Sequence, residues 1–161
     1  GKLSPDTRLS AALAGLSVRG GAAITLQQLL NHTSGLPADS AIFPEGGLWT
    51  GFAPGTNWSY SNCGYALAGM IGAAADGRPF PDMVEARVLA PLGMKGAVAA
   101  IRVADRDRYA QGYEPALTDR LNPRPGAMTP APWVESDSPA GCLAATPADM
   151  ATFMRFLFGL A

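Results

Sequence analysis

The spacing of apolar residues predicts two consecutive helices in the middle of the chain. From about Asn62 to Ala75 the residues are small or apolar on nearly every side, which is typical of a buried helix. Phe80, Val84 and Val88 then recur at every fourth position and indicate a helix from about Phe80 to Leu89. The Asp-Gly-Arg-Pro sequence at 76–79 predicts the turn between the two helices.

Capping signals predict a shorter helix before these two and a longer helix near the end of the chain. Thr25 and Gln28 fit a capping box, and the Ser-Gly-Leu-Pro sequence at 34–37 should end the helix that they begin. The Thr-Pro-Ala-Asp sequence at 146–149 supplies an N-cap, a proline at N1 and an acid at N3. An apolar stripe follows it at helical spacing, formed by Met150, Phe153, Met154 and Leu157.

Strand signals are weak by comparison. Residues 97–103 alternate enough for one short strand, whereas residues 36–53 and the proline-rich stretch that ends at Trp133 are interpreted as loops. The 161 residues leave room for one domain. We therefore expect a mainly α fold, with a single helical domain over residues 1–161.

Composition narrows the classes of function. The 12 basic and 13 acidic residues give a net charge of -1 and no basic stripe, so a nucleic-acid partner is not expected. The hydrophobic content of 48% argues against disorder. The sequence shows no apolar run long enough for a membrane span and no visible signal peptide.

The cysteines and the single histidine give no sign of a metal or cofactor site. Cys63 and Cys142 either form a disulfide or are two small buried hydrophobes, and the second interpretation is favoured. His32 has no Asp or Cys placed to make it a base and fits no metal-ligand spacing, so a structural role is favoured. We expect no metal and no cofactor.

The stretch from Pro54 to Asn62 carries the candidate chemistry. Pro54 and Gly55 predict a type II turn, because proline presets φ and glycine tolerates the positive φ that this turn needs. Tyr60 and Asn62 follow, at the point where a loop should enter the buried helix. Their phenol and carboxamide can face a cleft from a rigid part of the fold. The alternative for Tyr60 is a ring packed under a loop, and Asn62 can be the helix N-cap and face the cleft as well.

Five segments of the chain share their order with a known family. They are Gly1-Lys2-Leu3-Ser4, Leu29 to Pro37, Pro54 to Tyr65 with its Tyr-x-Asn motif, Pro91-Leu92-Gly93-Met94, and Ala140 to Met150. Together they resemble the serine β-lactamase and penicillin-binding-protein superfamily. The branch they resemble contains class C β-lactamases, carboxylesterases and D-alanyl-D-alanine peptidases.

The resemblance implies a fold and a chemistry. The chain would be the helical, all-α insertion domain of that fold, and the parent would be a serine hydrolase that transfers acyl groups from β-lactam, ester or D-Ala peptide substrates. Tyr60 would be the general base or proton relay, and Asn62 would orient the substrate amide and a lysine. Cys142 stands where the family usually carries a glycine, and it is predicted to contact substrate. Trp133 is also predicted to contact substrate by lining a cleft; the alternative is that its ring covers an edge of the core. The family would place the protein in the periplasm or outside the cell.

The motif that carries the nucleophile in this family is absent from the sequence. No serine is followed by a lysine three residues later, and the two lysines, Lys2 and Lys95, lie outside any Lys-Thr-Gly triplet. We therefore expect a helical domain that lacks the flanking α/β domain, is inactive alone and binds a small-molecule substrate only together with that domain. The alternative is a non-catalytic peptide- or peptidoglycan-binding module on the same scaffold.

Overall fold

A computed structural model describes residues 2–42, 45, 47–116, 128–141 and 143–160 of the chain. The helices are α1 (Leu9–Ala12), α2 (Leu26–Leu30), α3 (Asn62–Asp76), α4 (Phe80–Val84), a π-helical segment (Glu85–Leu89), α5 (Ala90–Leu92), a 3₁₀-helix (Val103–Arg108) and α6 (Pro147–Leu157). The strands are β1 (Val18–Arg19), β2 (Leu48–Trp49), β3 (Tyr113–Pro115) and β4 (Met128–Pro130).

Helix α3 is the central element, and it contacts α1, α2 and α4. The Ser61 hydroxyl caps its N-terminus by accepting a hydrogen bond from the Gly64 N–H, and Gly77 ends it with a φ of 82°. Leu67 and Ile71 are buried on the side that faces α1 and α2. The predicted buried helix and the turn that follows it are therefore confirmed.

Two groups of buried apolar side chains form the core. The larger group lies where α3 meets α1 and α2, and consists of Leu9, Ile24, Leu29, Leu36, Leu48, Cys63, Leu67 and Ile71. The smaller group surrounds the helix that follows α3, and consists of Val84, Leu89, Met94, Ala97 and Ala99. None of the helices in the described part of the chain is long and apolar enough to cross a membrane.

The helix after α3 extends beyond its predicted end. Helix α4, the π-helical segment and α5 follow one another without a break, so the helix begins at Phe80 as predicted but ends at Leu92 instead of Leu89. Pro91 lies inside it, although a proline ring normally clashes with the carbonyl group four residues earlier. The π-helical turns before Pro91 widen the helix, which makes room for the ring.

The predicted capping box at Thr25 and the predicted N-cap at Thr146 are confirmed. The Thr25 N–H donates to Gln28 Oε1 at 3.0 Å, and the Gln28 N–H donates to Thr25 Oγ1 at 3.3 Å. Thr146 and Asp149 form the same pair of hydrogen bonds at the start of α6, and the buried Asp149 carboxylate also accepts from the Gly96 N–H. The hydrogen bond from the Thr146 hydroxyl holds the pKa of Asp149 below its usual range.

The prediction of a mainly α fold and an all-α insertion domain is wrong, because 38% of the described residues are helical and 11% lie in strands or β-bridges. Strands β1 and β2 pair in parallel, with Val18 opposite Leu48, and β3 and β4 pair antiparallel, with Glu114 opposite Thr129. Each strand has only two or three residues. Such short strands cannot show the alternation of apolar and polar residues that reveals a strand in a sequence.

The stretch between α5 and α6 also differs from its predicted course. In the described segment 97–103, two isolated β-bridges replace the predicted strand; they pair Val98 with Ala144 and Ile101 with Ser136. The proline-rich stretch is not a continuous loop, because β3 and β4 lie within it. The two bridges connect segment 97–103 to residues 136–144, which lead into α6.

A close contact between α3 and Pro139 gives a first prediction. A Cβ at Gly69 would overlap the Pro139 ring, whereas a Cβ at Gly72 would meet only the flexible Met83 side chain. Gly69→Ala should lower the free energy of unfolding by about 1–3 kcal/mol. Gly72→Ala should be neutral or stabilising by up to about 1 kcal/mol, because alanine favours the helix. Urea denaturation measures the free energy of unfolding of both variants. An equal change in the two would contradict the close contact between Gly69 and Pro139.

The Asp149 capping box predicts a dependence of stability on pH. A carboxyl group with a lower pKa in the folded state stabilises the fold above its unfolded pKa, and that contribution is lost as the pH falls through the folded pKa. Asp149→Asn should therefore lower the denaturation midpoint at about pH 7, and the difference should shrink below about pH 4. A difference that stays constant down to about pH 3 would contradict this assignment.

Candidate functional site

The predicted turn at Pro54 and Gly55 is present. The Thr56 N–H donates to the Ala53 carbonyl at 3.1 Å, and Gly55 has a φ of 89°, as a type II turn requires. The Gly55 N–H also donates to the Thr33 carbonyl at 2.7 Å. The first residues of the loop that leads to Tyr60 are therefore hydrogen-bonded to the segment that follows α2.

Ser61 anchors the other end of this loop. It is fully buried, and its hydroxyl donates to the Pro37 carbonyl at 2.7 Å while accepting from the Gly64 N–H at 2.9 Å. The Ser61 N–H donates to the Nδ1 atom of His32 at 3.1 Å. One buried residue thus joins the N-terminus of α3 to two preceding segments.

Tyr60 lies between two anchored neighbours. The Ser59 N–H donates to the His32 carbonyl at 2.9 Å, and the Ser61 N–H donates to the His32 ring. The Tyr60 ring packs on the His32 ring with a centroid distance of 4.6 Å. Its side chain is nevertheless 51% exposed. The backbone of Tyr60 is therefore held in place while the outer face of its phenol stays accessible to a ligand.

His32 lies at the centre of an aromatic cluster. Its ring contacts Tyr60, Tyr65 at a centroid distance of 5.0 Å and Trp58 at 5.8 Å. The Tyr65 hydroxyl donates to the Leu30 carbonyl at 3.0 Å, which ties the cluster to the end of α2. Among the described residues, His32 is the one non-glycine with a positive φ, of 62°. This conformation is strained for most residues and tolerable for histidine.

Asn62 is the first residue of α3, so its interpretation as the N-cap is wrong; Ser61 is the cap. Its amide Nδ2 donates to Asp39 Oδ1 at 2.7 Å, and its backbone N–H donates to the Ala38 carbonyl at 2.8 Å. A carboxylate only accepts hydrogen bonds, so Asp39 fixes which end of the amide is the donor. The Oδ1 atom of Asn62 is then the end that can accept from another group.

Cys63 is one of the two small buried hydrophobes that the sequence predicted. Its thiol is buried in the larger core group and donates to the Ser40 carbonyl at 3.4 Å. Burial raises the pKa of this thiol, and the nearby Asp39 carboxylate acts in the same direction. A thiol held in its neutral form is a poor nucleophile. Cys142, the other cysteine and a predicted substrate contact, lies outside the described residues.

Trp133 lies in a second aromatic cluster. Its ring contacts the Tyr109 ring edge to face at a centroid distance of 5.1 Å, and the Arg106 guanidinium lies 5.8 Å from its centroid. These three residues line a cleft of about 330 Å³. Within the part of the chain that the structure describes, no ring contact joins this cluster to the one around His32. Among the described residues, Trp133 therefore shares no ring contact with Tyr60.

A separate cavity of about 460 Å³ lies at the C-terminal end of α3. Asp76 borders it and forms ion pairs with Arg78 and Arg87 at 2.6 Å; these arginines hold the pKa of Asp76 below its usual range. Lys2 also lines this cavity and donates to the Ala75 carbonyl. Because Tyr60 precedes the opposite end of α3, this cavity and its lysine do not belong to the candidate site.

Two residues that organise the site were not identified from the sequence. A helix predicted to begin near Asn62 makes the preceding serine a natural N-cap, and that signal could have found Ser61. No local pattern points to Asp39, because its contact with Asn62 joins residues far apart in the sequence.

Comparisons with known proteins agree on one family and one fold. The Beta-lactamase family model matches residues 1–161. Penicillin-binding protein 4 of Amycolatopsis lactamdurans is 28% identical over 172 residues, which cover 96% of this chain and 44% of that protein. The structure of a D-amino acid amidase from Ochrobactrum anthropi SV3 is 28% identical with a TM-score of 0.76, over 99% of this chain and 50% of that one.

The fold is also that of a class C beta-lactamase structure, with a TM-score of 0.78 at 24% identity over 100% of this chain and 45% of that one. The chain therefore spans half or less of the length of these three proteins.

The buried Ser61 hydroxyl gives the prediction for this site. Ser61→Ala removes the helix cap and leaves the Gly64 N–H and the Pro37 carbonyl without their partner, so it should cost about 1–3 kcal/mol of unfolding free energy. Ser59→Ala is the matched control, because Ser59 is exposed and should change stability by less than about 0.5 kcal/mol. Denaturant titration compares the two, and equal costs would show that the cap is not needed.

Proposed function

Because this chain belongs to the beta-lactamase family, we propose that it supplies the Tyr-x-Asn part of the active site of a serine hydrolase. The proposed reaction is acyl transfer from a β-lactam, an ester or a D-Ala peptide. The observation that carries the proposal is the environment of Tyr60. Hydrogen bonds from the Ser59 and Ser61 N–H groups fix the backbone on both sides of it, and its side chain is half exposed. A proton-transfer group needs both properties, since it must be positioned and accessible.

Tyr60 is proposed to move the proton during acyl transfer. Attack by a serine hydroxyl on a carbonyl carbon forms a C–O bond while the hydroxyl proton passes to a base, and that proton then reaches the leaving group as its bond to the carbonyl carbon breaks. A phenolate oxygen can accept this proton and return it, and a neutral phenol can relay it by passing its own O–H proton to the leaving group as it accepts the serine proton. Packing on His32 fixes the plane of the Tyr60 ring, and the Tyr60 hydroxyl group then makes the proton transfer.

Asn62 is proposed to orient the substrate and a lysine. Asp39 engages its Nδ2 donor at 2.7 Å, so its Oδ1 acceptor can receive an N–H from a substrate amide or from an ammonium group. Asn62 directly precedes the buried turn of α3 that contains Cys63 and Gly64, which gives the amide a rigid base.

The activity is proposed to need further polypeptide. The sequence contains no Ser-x-x-Lys motif, and the chain covers only 45–50% of the two similar structures. The outer side of α6 and the residues after it are apolar and exposed, a pattern that marks an interaction surface. The exposed residues are Met150, Met154, Phe156, Leu157, Phe158 and Leu160. We propose that the polypeptide that carries the nucleophile packs against this surface and that the chain alone is inactive.

Trp133 and Cys142 stay predictions as substrate contacts. Trp133 lines a cleft with Arg106, so an apolar substituent packed on its ring beside a negative group would suit it. The substrate class is set by the whole protein and is part of the proposal.

A polypeptide that joins this chain to a Ser-x-x-Lys segment tests the proposal. With a penicillin or fluorophosphonate probe, intact mass should show one covalent adduct on the longer protein and none on the 161-residue chain. Tyr60→Phe should slow acylation of the longer protein by about 100-fold or more. Tyr113→Phe, which removes the same hydroxyl from an exposed tyrosine on β3, should leave the rate unchanged.

Three results would contradict the proposal. One is an adduct on a serine of this chain itself, and another is an acylation rate that Tyr60→Phe leaves unchanged. The third is saturable peptide or peptidoglycan binding by the longer protein with no covalent adduct, which would favour a non-catalytic binding module on the same scaffold.

A further inference from the structure

We propose that His32 is the positioning residue of Tyr60, which it holds through the backbone on both sides and through its own ring. The proposal rests on the proposed role of Tyr60 in proton transfer. Its second part concerns the histidine itself, which acts as a neutral imidazole with its proton on Nε2.

Three contacts join His32 to three consecutive residues. Its carbonyl accepts from the Ser59 N–H at 2.9 Å, its Nδ1 accepts from the Ser61 N–H at 3.1 Å, and its ring packs on Tyr60 at 4.6 Å. The two hydrogen bonds fix the backbone immediately before and after Tyr60. The ring contact then restricts the direction of the phenol, so one residue sets both the position and the orientation of Tyr60.

The backbone conformation of His32 supports a positioning role. A non-glycine residue keeps a positive φ where the surrounding contacts determine it, and such residues are concentrated at functional sites. His32 has a φ of 62°, and its carbonyl and its Nδ1 both bond the residues that flank Tyr60. The strained conformation and the geometry of Tyr60 are therefore maintained by the same contacts.

The partner of Nδ1 determines the tautomer. A backbone N–H can only donate, so Nδ1 must offer a lone pair to Ser61 and the ring proton must lie on Nε2. The rings packed against His32 are those of Tyr60, Tyr65 and Trp58. The phenols of Tyr60 and Tyr65 are the titratable groups in these contacts.

Two substitutions separate the hydrogen bond from the backbone strain. Asparagine and glycine both tolerate a positive φ, so His32→Asn and His32→Gly keep the backbone conformation accessible. The asparagine side chain places an acceptor oxygen near the position of Nδ1, whereas glycine offers none. Both variants lose the imidazole ring; they differ in the acceptor oxygen and in the greater backbone freedom of glycine.

The experiment combines a structural and a kinetic measurement. In the 161-residue chain, hydrogen exchange should show the Ser61 amide protected in the wild type and in His32→Asn, and exposed to exchange in His32→Gly. In the longer protein that carries the Ser-x-x-Lys segment, His32→Gly should lower the acylation rate constant by about 10- to 100-fold with little change in the half-saturating probe concentration. His32→Asn should recover the part of that loss that comes from the Ser61 hydrogen bond, and its rate should stay below the wild-type rate because the ring contact with Tyr60 is missing.

The outcomes distinguish this proposal from the proposed function. If Tyr60→Phe abolishes acylation while His32→Gly keeps the wild-type rate, Tyr60 is catalytic and His32 does not position it. If the asparagine and glycine variants lose protection and activity equally, the Nδ1 contact is not the positioning contact. A third outcome is that the Ser61 amide is protected from hydrogen exchange in His32→Asn and not in His32→Gly, while Tyr60→Phe has no effect on acylation. His32 then organises the loop, and the proposed function is overturned.

Discussion

The hydrogen bond from the Ser61 N–H to the Nδ1 atom of His32 is the contact on which the candidate site depends. Ser61 is fully buried, and a buried amide without a partner costs about 1–3 kcal/mol. The same residue caps α3 and bonds the Pro37 carbonyl, so the helix, the loop before it and the segment after α2 meet at one point. Tyr60 is adjacent to this point and takes its geometry from it.

Helix α3 makes this arrangement rigid. Its buried face packs on α1 and α2, and its C-terminal half contacts α4, so the N-terminus has little freedom to move. A Cβ at Gly64 would lie only 3.3 Å from the Leu29 carbonyl oxygen, so the first turn of α3 lies directly against α2. The half-exposed phenol of Tyr60 is thereby attached to a constrained part of the fold. A proton-transfer group can be held in position there while its outer face stays accessible.

Local sequence signals predicted helices α2, α3 and α6, but they placed the end of the helix after α3 three residues too early. The capping residues of α2 and α6, the Pro54-Gly55 turn and the buried character of α3 each depend on residues within a few positions of one another. The sheets could not be predicted, because β1 pairs with β2 across a long separation and each strand is too short to show a period. The same limit applies to the site: Tyr60 and Asn62 were found by their motif, whereas the contacts of His32 and Asp39 join distant segments.

The most direct test of this account is a scalar coupling across the hydrogen bond between the Ser61 amide nitrogen and His32 Nδ1, measured by NMR on the ¹⁵N-labelled chain. His32 is the single histidine, so the imidazole signals need no further assignment. The account predicts a resolved coupling at about pH 8, with the ring proton on Nε2. A proton on Nδ1 and no coupling to Ser61 would contradict it, because the backbone beside Tyr60 would then lack its central contact.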